Sequence, residues 1–133
     1  MKDTSLTREW KDYWTQGEQY ARLSHARSRM FTNEIRYNLA GMAIEKFVMG
    51  FLMRLNMLPE GHTLVDLIDS VERLANLPAV LCEKIRAMDR FQQICAFDTY
   101  TRTVPDDEEM SVIESLVLSL RDVLSARTLE AVT

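Results

Sequence analysis

Glycine and proline are scarce, four and three among 133 residues. That scarcity removes the punctuation that strand-and-turn architectures need. There are two histidines and two cysteines, Cys82 and Cys95. On one helix those thiols would stand about 20 Å apart, too far to bridge within the chain. Neither has a second Cys or a His at ligand spacing, so no metal site is expected and both read as small buried hydrophobes. Basic charge is not in surplus: 16 Lys and Arg stand against 20 Asp and Glu, a net charge of −4. A protein whose main task is to coat nucleic acid needs the opposite balance. Long hydrophobic runs are also missing. The longest, Phe47 to Met53, ends at Arg54, well short of the roughly 20 residues that span a bilayer. The first residues hold no apolar stretch of signal-peptide length, which leads to the expectation of a cytoplasmic protein.

What is present favours helix. Leu, Ala, Met, Glu and Arg are plentiful, 47% of residues are hydrophobic and 27% charged, the balance of one ordinary globular domain. Apolar residues recur at three and four along most of the chain. A first helix is predicted from near Ser5 to between Ser24 and Met30, with an aromatic stripe of Trp10, Tyr13, Trp14 and Tyr20. Gly17 within it implies a close helix crossing. Thr32 or Asn33 caps a second helix that runs to Leu58-Pro59. Ile35, Leu39, Met42, Met49, Met53 and Met57 share one face of it, while Ile44, Phe47, Val48, Phe51 and Leu55 cover much of the remainder. Such a helix must be central, or covered at a dimer interface.

Pro59-Glu60-Gly61 marks a turn, and Thr63 with Asp66 forms a capping box for a third helix carrying Leu64, Leu67, Ile68, Val71 and Leu74. Pro78 suits the first turn of a fourth, with Leu81, Ile85, Met88, Phe91 and Cys95 inward, fading between Phe97 and Arg102. After Pro105, the acids Asp106 to Glu109 open a fifth helix whose stripe is Ile113, Leu116, Val117, Leu120, Val123 and Leu124. There are no repeats or long linkers, so the expected fold is all-α, a single-domain up-and-down antiparallel bundle of four to five helices over residues 1–133.

Few residues offer chemistry. His62 and Asp66 have the spacing of a base and its orienting acid, but no nucleophile accompanies them. Arg22, His25, Arg27, Arg29 and Arg36 crowd the end of the first helix and the start of the second. They read either as a phosphate or RNA patch or as a solvated helix end. Lys46 stands out on an apolar helix. It must snorkel, form an ion pair or meet an anionic ligand.

Three stretches of this chain resemble the HEPN family of helical domains. Trp14, Gly17, Glu18 and Tyr20 look like the family's opening helix. Leu39-Ala40-Gly41-Met42-Ala43-Ile44-Glu45-Lys46-Phe47 looks like its central helix, and Pro59 to Leu64 with Leu67 like its turn and third helix. The resemblance implies a helical bundle, frequent homodimerisation, and association with nucleotide, RNA or a partner nucleotidyltransferase. Its ribonucleases carry an Arg followed by a His after four to six residues. Here Arg22 precedes His25 too closely, and Arg54 stands too far before His62, across a Pro-Gly turn. The expectation is therefore a non-catalytic member without cofactor or metal. Asp98, Tyr100 and Arg102, before Pro105-Asp106, are similar to the family's Tyr and Arg-x-Pro region. With Arg36 and Lys46 they are the ligand-binding candidates. The alternatives are a divergent ribonuclease toxin using His25 or His62, and a plain protein-interaction bundle.

Overall fold

The structure is a computed structural model that describes residues 4–25, 31–91 and 104–132, with side chains described over 9–127 of these. Asp98, Tyr100, Arg102, Arg27, Arg29, Cys95 and the predicted fading of the fourth helix lie outside the described residues. Within them the fold is all-α. Five helices are present: α1 (Thr4–His25), α2 (Asn33–Arg54), α3 (Leu64–Val71), α4 (Ala79–Ala87), continued by a 3₁₀ turn over Met88–Phe91, and α5 (Asp107–Val132).

Helix ends follow local chemistry. Thr32 caps α2 by accepting from the Ile35 amide at 3.3 Å, and Thr63 caps α3 by accepting from the Asp66 amide at 3.0 Å. At α5 the box is reciprocal: the Asp106 carboxylate accepts from the Glu109 amide at 2.7 Å, and the Glu109 carboxylate from the Asp106 amide at 3.1 Å. The acids before α5 therefore supply specific hydrogen bonds as well as favourable charge. Helix α2 stops at Arg54, earlier than the pattern suggests. Asn56 turns left-handed at φ 59°, and the amides of Asn56 and Met57 return to the carbonyls of Met53 and Leu52. Asparagine tolerates this conformation and so closes the helix where glycine usually would.

Of the three long helices, α1 runs opposite to α2 and α5. Trp10 meets Gly50, and Gly17 meets Phe47, so α1 and α2 run antiparallel. A side chain on Gly17 would fall 2.8 Å from the Phe47 ring, and one on Gly50 3.0 Å from the Trp10 carbonyl oxygen. Both glycines let the backbones approach, as the sequence implied for Gly17. Asn33 reaches Asp107 and Arg36 reaches Glu114, which sets α5 beside α2 in the same direction. The 3₁₀ turn after α4 comes back to the start of α2: the Tyr37 hydroxyl donates to the Met88 carbonyl at 2.7 Å, and its ring packs edge-on to Phe91. Short α3 joins the far ends.

The core is continuous through all five helices, with Ile44, Phe47, Leu52, Leu67, Ile68, Ile85, Met110 and Leu120 fully buried. Helix α2 lies at its centre, yet it is not covered on every side. Ile35 is 41% exposed and Met42 40%, while Met53 is buried. Leu74, expected in the α3 stripe, is exposed instead. The helix has already ended at Val71, and turns carry the chain on to Asn76. Among the described residues no helix is long and apolar enough to cross a membrane.

Candidate functional site

The densest polar cluster sits where α1 ends, α2 begins and the first turns of α5 pass. Its hub is Arg36. The guanidinium donates through Nε to the Ser24 carbonyl at 3.0 Å, through one terminal nitrogen to the Asn33 side chain at 3.1 Å, and through the other to the Glu114 carboxylate. Both side chains of the Arg36–Glu114 pair are largely buried, 14% and 15% exposed. A bond to a carbonyl at the C-terminal end of α1 also satisfies one of that helix's orphan acceptors. Asn33 extends the cluster, its side-chain amide donating to the Pro105 carbonyl at 3.1 Å and the Asp107 carboxylate at 2.9 Å.

His25 belongs to the same cluster. Its Nδ1 lies 2.7 Å from the Ala21 carbonyl oxygen, which fixes that nitrogen as the protonated one. Its Nε2 stands 3.9 Å from Glu114, an electrostatic contact longer than a hydrogen bond. The structure thus unites two sequence candidates, Arg36 and His25, around an acid that sequence reasoning missed. Arg22 is exposed and outside this cluster. Glu114 had a legible signal: it continues the helical line Met110, Val117, Leu124, whose other members are completely buried.

Lys46 is placed elsewhere. Its ammonium lies 4.9 Å from the centre of the Tyr13 ring, on the outer side of the α1–α2 pair. Further along that side, Arg54 stands 5.2 Å and Lys11 5.8 Å from the centre of the Trp10 ring. Cation–π attraction stabilises each by about 0.5–1 kcal/mol in such partly exposed positions. Among the described residues no carboxylate comes within ion-pair distance of Lys11, Lys46 or Arg54, and the buried Nε of Arg54 has no acceptor. These aromatic residues were legible as a stripe. Their pairing with cations was not, because it depends on which turn of α2 faces which turn of α1.

The remaining sequence candidates separate. His62 is exposed and lies 3.7 Å from Glu45. Asp66 instead packs its carboxylate against Gly61, where any side chain would collide with it. A second polar cluster ties α3 to α4, with Arg86 donating to Asp69 at 2.6 Å and to Glu72 at 2.7 Å. Hydrogen bonds from Arg86 and Cys82 hold the Glu72 carboxyl below its ordinary value. Burial, with Glu72 as acceptor, pushes the Cys82 thiol up to about 11, which leaves it protonated and unreactive at neutral pH. Among the described residues no group of His, Cys, Asp and Glu is arranged to hold a metal ion.

Comparison with protein-family models, with curated proteins and with solved structures finds no match to this chain.

Proposed function

We propose that this chain is a non-catalytic, HEPN-like helical-bundle module that acts as a homodimer and associates with nucleotide or RNA. The observation that carries the non-catalytic part is the use made of Arg36. Each of its three nitrogens donates to a protein acceptor. An arginine needed by a phosphodiester in the transition state would have to abandon a largely buried carboxylate, which is costly. His25 is similarly engaged, its protonated nitrogen committed to a backbone carbonyl. The arrangement supports a structural clamp.

Association with phosphate is supported at the other end of α2. Lys11 and Arg54, gathered over Trp10, are cations with no ion-pair partner among the described residues. Cations next to an aromatic ring are the ingredients of sequence-tolerant single-strand binding. The test is fluorescence anisotropy with a short labelled single-stranded RNA at low and physiological salt. Binding should weaken as salt rises, and Arg54→Glu should weaken it at least fivefold and flatten the salt dependence. Absence of binding at low salt, or binding indifferent to Arg54→Glu, refutes the RNA reading.

A further inference from the structure

The outer face of α2 presents an unusual pattern. Met42 and Met49 are seven residues apart, so they fall within about 20° of each other on the helix. Met42 is 40% exposed and Met49 half-buried, and Ile35, one heptad earlier, is 41% exposed. From Ile35 to Met49 this line runs about 21 Å. At Met53 it is closed over, since that side chain is buried. The apolar line is therefore a two-heptad seam on an otherwise packed helix.

Two charges flank the seam on opposite sides. Consecutive residues project about 100° apart on a helix, and the bisector of Glu45 and Lys46 falls between Met42 and Met49. Among the described residues neither charge has a close ion-pair partner of permanent opposite charge. Among these residues, the basic group within ion-pair distance of Glu45 is the exposed His62, at 3.7 Å. Lys46 has an aromatic ring but no carboxylate among the described residues. Other charges pointing outward from this element, such as Glu34, lie more than two turns away.

We propose that a second copy of this chain covers the seam, with the two α2 helices parallel about a two-fold axis. In that symmetry the Glu45 flank of one helix faces the Lys46 flank of its mate at nearly the same height. Both ion pairs then form at once, beside Met42 and Met49 packed against their own copies. An antiparallel pairing does not do this, because it sets each flank against its own kind. The charges thus select both partner and direction. This inference rests on the homodimer proposed above and names its surface.

The test is sedimentation velocity of the full chain across a hundredfold range of concentration, with charge-swap variants. Glu45→Lys and Lys46→Glu should each raise the dimer dissociation constant at least tenfold, and the double swap should restore it to within about threefold. Circular dichroism checks that each variant stays folded, which is expected because both side chains are only half-buried and lie outside the core. A dimer indifferent to the swaps overturns this surface while leaving the homodimer intact. A protein that is monomeric throughout, its seam taken by another chain or by another segment of itself, overturns both.

Discussion

Tyr37 shows how one residue can tie two elements together. It projects from the first turns of α2, its hydroxyl donates to the Met88 carbonyl, and its ring packs against Phe91. Burial, reinforced by the negative charge of Asp89, raises its pKa well above the ordinary phenol value. The folded chain therefore keeps its phenolic proton where the unfolded chain has lost it. Its contribution is fully present below about pH 10 and is lost as pH rises beyond that value. Tyr37→Phe should cost about 1 kcal/mol at pH 7, the net value of the lost hydrogen bond and the orphaned carbonyl. Relative to wild type, the variant should lose less stability between pH 9 and 11. Urea unfolding followed by circular dichroism at both pH values measures this. At the same scale, the sequence marked Tyr37 as nothing special, because its partners are a backbone oxygen and a ring more than fifty positions away.

Between α1 and α2, two glycines decide the spacing. Gly17→Ala gains about 1 kcal/mol of helix propensity, yet the new methyl would sit 2.8 Å from a completely buried phenylalanine ring. Overpacking of that kind costs about 1–3 kcal/mol, so the substitution should lower the melting temperature despite favouring helix. A variant more stable than wild type would show that the crossing is looser than described. At this scale much was legible. Thr63, Pro78 and the acids before α5 announced helix starts, and periodicity located α1, α2 and α5. The end of α2 was missed because Asn56 ends it as effectively as a glycine, and the apolar residues beyond it continue a helical pattern that the backbone abandons. Whether Met42 is covered by the core or by a dimer partner stays open in the sequence, since hydrophobic spacing says which residues share a face but not what covers it.

At the scale of the whole molecule, several ion pairs among the described residues fasten one helix to another. Arg36 and Glu114 clamp α2 to α5, Arg86 joins α4 to α3, and Arg90 meets Glu109 between the 3₁₀ turn and α5. A candidate site read from sequence alone sees a cluster of basic residues and cannot see that Arg36 and His25 already donate to protein acceptors. Arg36 and His25 were identified as residues to watch, and their convergence follows from α1 and α2 being joined end to start. Their employment depends on Glu114, which the fold brings from 78 positions away. The most direct test of the non-catalytic account is cleavage of a fluorogenic RNA by purified wild-type protein and by Arg36→Met. Thermal unfolding would confirm that the variant is folded but weakened by about 3 kcal/mol, as expected for a largely buried acid left without its partner. The account predicts no cleavage by either protein. Cleavage by wild type that disappears in folded Arg36→Met would contradict it.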